Sequence, residues 1–254
     1  MILKNLIFVP MKKTLLTLSS VFAVLAFCLP AGAQDGSVEL QAFQEAVGDH
    51  SILFRGKQAA RYNFLANGHP YWSSPEFEQG DLVFENNLYR DVPLNIDVIQ
   101  QRVLVKLSES TFAVALVPAL TPSFTIGDRK FVGVGPGEAL SEGIYEVFGE
   151  GRERVYKHVR KQINFSMSNV NGEAIGYADE NYRPDVYRYF AYSKSYYFRD
   201  ADGRFTRIKN RNALIRQFPE RRQEIRKAIR AGQLNDRGVT FDDFCKAVLN
   251  ITAR

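Results

Sequence analysis

The sequence has few of the residues from which metal and nucleophilic sites are built. Its 254 residues include two cysteines, three histidines and one tryptophan. The histidines, at positions 50, 69 and 158, show neither the His-x-His nor the His-x-x-x-His spacing of a metal site. No Gly-x-Ser-x-Gly element provides a nucleophile elbow. We therefore predict no metal site, no cofactor and no complete catalytic constellation.

The N-terminus has the features of a cleavable export signal. Met11-Lys12-Lys13 precedes an apolar run from Leu15 to Leu29, and Ala31 and Ala33 are the small residues that signal peptidase accepts. We place cleavage between Ala33 and Gln34. The apolar run of about 15 residues is shorter than the roughly 20 that span a bilayer, so no membrane span is expected after cleavage.

This cleavage site makes residues 1–33 a signal peptide, with translation starting at either Met1 or Met11. Lipidation at Cys28 is the alternative, but Phe27 stands where lipoprotein processing requires a small residue. We therefore expect a periplasmic or secreted protein, with a lipoprotein as the second interpretation.

Removal of the leader changes the charge and the cysteine content. The leader carries three lysines and no acidic residue, so 30 basic and 28 acidic residues remain in the mature chain. A net charge near +2 gives no general attraction to nucleic acid, and no nucleic-acid partner is expected. Cys245 remains without a partner cysteine, so stability must come from the core rather than from a disulfide.

Short apolar runs separated by turn residues fill the chain from His50 to Lys161. Asn86-Asn87, Gln100-Gln101 and Gly127-Asp128 lie between neighbouring β-type runs, as is typical of antiparallel hairpins. The pattern predicts a β-rich body of meander, open-barrel or sandwich type. The predicted strands are Ser51–Arg55, Tyr62–Leu65, Asp81–Glu85, Leu88–Val92, Leu94–Ile99, Arg102–Leu107, Thr111–Val117, Ser123–Ile126, Lys130–Val134, Ile144–Phe148 and Val155–Arg160.

Residues 34–48 could form a short helix, and the other helical signals lie in the C-terminal part. Pro219 and Gly232 are suited to the start and the stop of a basic helix over residues 220–231. Thr240, followed three residues later by Asp243, predicts the N-cap of a last helix. We expect two or three helices in this C-terminal part.

The sequence therefore predicts an α+β fold. Residues 34–184 form the β-rich body, and residues 185–254 form an aromatic hairpin, turning at 200–203, followed by the helices. We expect the two parts to pack together as one domain.

Three motifs carry a resemblance to a known group. They are Asn67-Gly68-His69-Pro70-Tyr71, the segment Leu88–Leu94, and the aromatic segment Tyr196–Phe205. With the export signal, these motifs resemble those of uncharacterised secreted proteins common in bacteria of the Bacteroidetes type. The resemblance implies a location in the cell envelope, and it implies neither an activity nor a catalytic residue.

Two features favour binding. Tyr187, Tyr189 and Tyr192 belong to one aromatic strand that also carries Arg188 and Lys194, a composition suited to sugars or anionic glycans. Alternation along this strand predicts Tyr187 and Tyr189 on one face and Tyr192 on the other. Arg222 and Arg226 belong to the basic helix, which could meet anionic lipid or polysaccharide. The alternatives are a strand pair packed on the core and a solvated helix face. A glycan, a lipid or an envelope protein is the expected partner.

Two other features have simple structural interpretations. The segment from Gly133 to Gly143 imitates a phosphate-binding loop, but it lacks the lysine, and Pro136 removes a backbone donor. We interpret it as a flexible connection. Cys245 lies on the apolar stripe of the last helix, where we expect an inert, buried thiol.

The sequence favours a non-enzymatic binding or accessory module of the cell envelope. The alternative is a hydrolase that acts on envelope or extracellular glycans through a pair of carboxylates. Candidates near Trp72, the sole tryptophan, are Glu76, Glu78, Asp81 and Glu85.

Overall fold

A computed structural model describes residues 51–63, 66–106, 112–166, 187–232, 234 and 238–253. All structural statements below concern these residues. The predicted signal peptide, Cys28 and His50 lie outside them, as do Phe64-Leu65 and residues 167–184. The side chain of Tyr187 is also outside the description. In the described part of the chain, no helix is long and apolar enough to cross a membrane.

The described residues form strands and helices in two blocks, with the helices last. The strands are β1 (Lys57–Gln58), β2 (Ala66–Asn67), β3 (Glu78–Phe84), β4 (Asn87–Asp97), β5 (Arg102–Lys106), β6 (Ala113–Leu116), β7 (Ser123–Ile126), β8 (Arg129–Val134), β9 (Gly143–Phe148), β10 (Arg154–Ser166), β11 (Tyr187–Arg199) and β12 (Phe205–Ile208). The helices are α1 (Arg211–Ile215), α2 (Arg222–Ala231) and α3 (Phe241–Thr252).

The strands form one open, antiparallel sheet. Their order is β1-β6-β5-β4-β3-β7-β8-β9-β10-β11-β12, and β2 adds a short parallel pairing to β11. Because β1 and β12 are the two ends of this order, the sheet does not close on itself. The predicted α+β class with a β-rich body is confirmed, and its form is a single open sheet rather than a sandwich.

The sheet curls so that the β4–β5 turn reaches β10. The backbone N–H of Lys161 donates to the carbonyl oxygen of Val98, at 3.3 Å. The curl encloses the first hydrophobic core, whose members are almost completely buried. They include Trp72, Leu94, Ile96, Val103, Val105, Phe131, Ile144 and Val159.

The helices bury a second core against β9 to β12. Phe198 and Ile208 of the sheet pack there with Ile225 and Phe244 of the helices. Cys245 is fully buried in this core, and burial, with the charge of Asp242, raises the pKa of its thiol to about 12. The prediction that Cys245 is a buried core residue is confirmed.

The predicted cap of the last helix is also confirmed. The Thr240 hydroxyl oxygen accepts a hydrogen bond from the backbone N–H of Asp243, at 3.2 Å. The basic helix begins at Arg222, two residues later than predicted, because Pro219 and Glu220 form a turn before it.

Two predicted strands are wrong in kind or in extent. Residues 52–54 form a 3-10 turn, in which the Ser51 hydroxyl caps the N–H of Leu53 and places that leucine in the core. Tyr62 and Asn63 are not in a strand. The runs Leu88–Val92 and Leu94–Ile99 belong mainly to one continuous strand, β4, because Pro93 does not interrupt the pairing with β3.

The predicted glycine loop is shorter than the sequence suggested. Gly133 lies in β8 and Gly143 opens β9, so the connection covers residues 135–142. A Cβ at Gly133 would collide with the carbonyl oxygens of Pro118 and Thr121. This glycine is therefore required by the close approach of another backbone segment rather than by flexibility.

Candidate functional site

A polar groove opens where the β4–β5 turn meets β10. Its volume is about 400 Å³, within the range of roughly 300–1,000 Å³ typical of ligand pockets. Three of its lining residues are cationic and one is acidic. The described lining consists of Ile99, Gln100, Gln101, Arg102, Glu142, Arg160, Lys161 and Gln162.

The charges of the polar groove are only partly neutralised. Arg102 approaches Glu142 at 3.6 Å, a long and exposed ion pair that contributes little. The Lys161 ammonium donates to the carbonyl oxygens of His69 and Tyr71, at 2.8 and 2.6 Å, and burial lowers its pKa. Arg160 is exposed, and in the described part of the chain no hydrogen bond or ion pair engages its guanidinium. The groove is therefore suited to an anion.

The Gln101 side chain forms the floor of the polar groove and uses all of its hydrogen-bonding capacity. Its amide nitrogen donates to the carbonyl oxygens of Val98 and Val159, each at 2.8 Å. Its oxygen accepts from the backbone N–H of Ile144 at 3.0 Å and lies 2.9 Å from His158 Nε2. Since both amide hydrogens are used, the oxygen must be an acceptor, which assigns the His158 proton to Nε2.

His158 is held as a neutral side chain below this floor. Its ring stacks on Tyr145, with 4.5 Å between the ring centroids, and only 5% of the residue is exposed. Burial, with the nearby charge of Arg160, lowers its pKa to about 4. At Gly143, a Cβ would lie 2.8 Å from both Gln101 Oε1 and His158 Nε2. The cluster is therefore tightly packed, and its imidazole is a weak base.

The buried imidazole gives a testable dependence of stability on pH. The folded pKa of His158, about 4, lies below the unfolded value of 6.5, so the unfolded state binds more protons between these limits. The contribution of the neutral His158 to the free energy of unfolding is fully present above pH 6.5, and it is lost as the pH falls toward 4. We expect a loss of about 2 kcal/mol between pH 7 and 4.5.

Urea unfolding of the wild type and of His158→Phe at both pH values measures this contribution. Phenylalanine preserves the stack on Tyr145, and Gln101 Oε1 keeps its bond from Ile144. The variant should lose about 2 kcal/mol less than the wild type over the same interval. Equal losses in the two proteins would show that His158 is not the responsible group.

The outward face of the polar groove continues onto a ribbon of β10 and β11, which β2 joins at Arg188 and Tyr189. We define the ribbon as residues 159–166 of β10 and 187–195 of β11, which extend past the pairing with β9 and β12. Arg160 and Gln162 share one face with Asn164, since alternate residues point to the same side. Tyr189 lies directly opposite Asn164 on that face and is 37% exposed. Two residues along a strand span about 7 Å, so Tyr189 lies one residue pair beyond Gln162, just outside the described lining of the groove.

The structure separates the residues predicted from sequence to bind a ligand. Tyr192 pairs with Lys161 and therefore lies on the face opposite to Tyr189, with 51% of its surface exposed. Arg222 and Arg226 are exposed residues of α2, and neither is in the described lining of the polar groove. The groove itself was missed, because its residues come from three separate segments that form no motif.

A buried ion cluster joins α3 to the sheet. The Lys157 ammonium lies 3.1 Å from a Glu146 oxygen and 2.5 Å from an Asp242 oxygen, and the Tyr196 hydroxyl donates to Asp242 at 2.7 Å. Burial disfavours the charged lysine, but the bond to Asp242 and the charge of Glu146 outweigh burial and raise its pKa. Its ammonium also lies 5.5 Å from the ring of Trp72. The cluster connects the two cores.

The carboxylates proposed for hydrolysis do not surround an exposed tryptophan. Trp72 is buried against Phe131, with 5.2 Å between the ring centroids, so it is a core residue rather than a sugar platform. Asp81 lines a groove of about 450 Å³ together with Glu150 and several apolar side chains. The hydrogen bond from Lys130 lowers the pKa of Glu150, the opposite direction from the one a general acid requires.

Comparisons with protein-family models, with curated proteins and with solved structures found no match. The described residues also contain no group of three or more histidine, cysteine, aspartate or glutamate side chains arranged to hold a metal ion. The case for a function therefore depends on the chemistry of the polar groove and the ribbon.

Proposed function

We propose that this protein is an exported, non-enzymatic module of the bacterial cell envelope that binds an acidic polysaccharide. The observation that supports this is that one surface carries a guanidinium, two amides and an exposed tyrosine, which are all groups that bind sugars. Arg160, Gln100 and Gln162 line the polar groove, and Tyr189 lies on the same face of the ribbon as Arg160 and Gln162. The predicted signal peptide supports the location.

A uronic-acid sugar would use each of these groups. Its carboxylate matches the two-pronged donor geometry of Arg160. Its hydroxyls can both donate to and accept from the amides of Gln100 and Gln162. The C–H face of its ring can pack on Tyr189, whose hydroxyl remains in water. A neutral sugar would leave the guanidinium without a counter-charge.

The surroundings of the groove support binding rather than catalysis. His158, which lies below the floor of the groove, is neutral at pH 7, and its Nε2 proton is committed to Gln101. The one described carboxylate of the lining, Glu142, approaches Arg102. Neither group is placed as a nucleophile beside a partner acid.

Calorimetric titration with a hexameric uronic-acid oligosaccharide, and with a neutral glucose hexamer, tests the proposal. We expect binding of the acidic hexamer and a loss of at least about tenfold in affinity for Arg160→Gln, since a charge-assisted hydrogen bond contributes about 1.5–3 kcal/mol. Tyr189→Ala should produce a loss of similar size. Tyr192→Ala, on the opposite face of the same strand, and Lys57→Gln, on the edge strand β1, are the matched controls.

Three outcomes would count against this assignment. Equal affinity for the neutral hexamer would remove the role of the guanidinium. A loss in Tyr192→Ala without a loss in Tyr189→Ala would move the site to the other face of the ribbon. Appearance of new reducing ends during incubation would instead favour the hydrolase interpretation.

A further inference from the structure

A second, smaller cavity lies between α1 and α2. Its volume is about 150 Å³, and three of its lining residues are arginines. None of the described residues around it is acidic. The lining consists of Arg211, Asn212, Ile215, Arg226, Ile229 and Arg230. We call it the arginine cavity.

The fold holds the Arg211 guanidinium in place and puts the other two arginines on one side of α2. Arg211 donates to the carbonyl oxygen of Val239 at 2.5 Å, and its guanidinium carbon lies 5.2 Å from the centre of the Phe244 ring. These contacts fix Arg211 while leaving several of its N–H groups for a ligand. Arg226 and Arg230 are one helical turn apart, so they lie on the same side of α2.

The arginines of this cavity differ from others nearby. Arg221, just before the same helix, forms a two-bond pair with Glu224, at 3.1 and 3.2 Å. In the described part of the chain, no hydrogen bond or ion pair occupies the guanidinium of Arg226 or Arg230. Like charges four residues apart destabilise a helix by about 0.2–0.5 kcal/mol. A bound anion would remove this repulsion and satisfy the remaining donors.

We propose that the arginine cavity binds a phosphate group. Three guanidinium forks present donors that match the oxygens of a tetrahedral oxyanion, and the cavity is smaller than the roughly 300 Å³ at which pockets for larger ligands begin. The site is separate from the polar groove and does not depend on its function. The phosphate comes either from free inorganic phosphate or from a phospholipid headgroup.

Titration of the purified full chain with inorganic phosphate, at constant ionic strength, tests the site. We expect saturable binding by calorimetry. Arg226→Gln and Arg230→Gln should each weaken it by at least about tenfold, since a charge-assisted hydrogen bond contributes about 1.5–3 kcal/mol. The matched controls are Arg222→Gln and Lys227→Gln, which remove the same charge from the same helix outside the cavity. These should change the affinity by less than about threefold, because exposed charges are screened.

Sedimentation with vesicles distinguishes the two sources. If a lipid headgroup is the ligand, vesicles of phosphatidylcholine containing phosphatidic acid should bind the protein, and Arg226→Gln and Arg230→Gln should release it. If free phosphate is the ligand, the protein should stay in solution while the phosphate titration saturates. Equal losses in all four variants would show only a diffuse helix charge and would overturn the proposal. So would the absence of binding in both assays.

Discussion

Replacement of Lys157 by methionine is expected to lower the free energy of unfolding by about 3–5 kcal/mol. The side chains of Lys157 and Glu146 are 8% and 5% exposed, so neither can exchange its partner for water. Methionine keeps the volume of the lysine stem but removes the charge. The variant would leave Glu146 as a buried carboxylate without a cation and would weaken the attachment of Asp242, and hence of α3, to the sheet.

Urea unfolding at pH 7 measures this loss, and the chain offers a matched control. Lys130 forms an exposed pair with Glu150, with side-chain exposures of 59% and 83%, so Lys130→Met should cost less than about 1 kcal/mol. Adding Glu146→Gln to the Lys157→Met variant should recover part of the stability, because it removes the uncompensated charge. A loss below about 1 kcal/mol in Lys157→Met, or no recovery in the double variant, would contradict this account.

Turns and caps could be predicted from the sequence because their causes are local. Gln101 adopts a positive φ of 54° in the turn between β4 and β5, and Gly127 adopts a φ of 54° in the turn between β7 and β8. Both turns were predicted from their residues. The cap at Thr240 depends on a residue only three positions away. In each case the stabilising contact lies within the short segment that the pattern describes.

The curl of the sheet could not be predicted in this way. Alternation shows which side chains share a face of a strand, but it does not show which strands meet when the sheet bends. Gln101 bonds to Val159 and Ile144, which are 58 and 43 residues away. Lys157 and Asp242 are separated by 85 residues. No short sequence pattern contains both members of such a pair.

The candidate site could be predicted from the sequence only in part. Alternation along residues 187–192 correctly assigns Tyr189 and Tyr192 to opposite faces of a strand, as the pairing with β10 shows. It does not identify the face that adjoins a groove, because the groove depends on the approach of the β4–β5 turn to β10. The amides and guanidinium groups of that groove are ordinary surface residues in the sequence. They form a candidate site only because the fold brings them together.

Gln101→Met is expected to cost about 4 kcal/mol of unfolding free energy, because this side chain satisfies four buried groups at once. Methionine has a similar volume but can make none of these bonds. The carbonyl oxygens of Val98 and Val159 and the N–H groups of Ile144 and His158 would each lose a partner. Leaving one buried group unsatisfied costs about 1–3 kcal/mol. Relaxation of the neighbouring groups or entry of water reduces the total over the four groups.

The neighbouring glutamine separates stability from binding. Gln100 is exposed and its side chain faces the polar groove, so Gln100→Met should change the unfolding free energy by less than about 0.5 kcal/mol. The same change should weaken binding of the acidic hexamer, because it removes a donor and an acceptor from the groove. Gln101→Met should instead weaken both properties, since it releases the β4–β5 turn from β9 and β10 and so removes the groove's floor. Equal unfolding free energies for the two variants would contradict the role given to Gln101 as the residue that holds the curl.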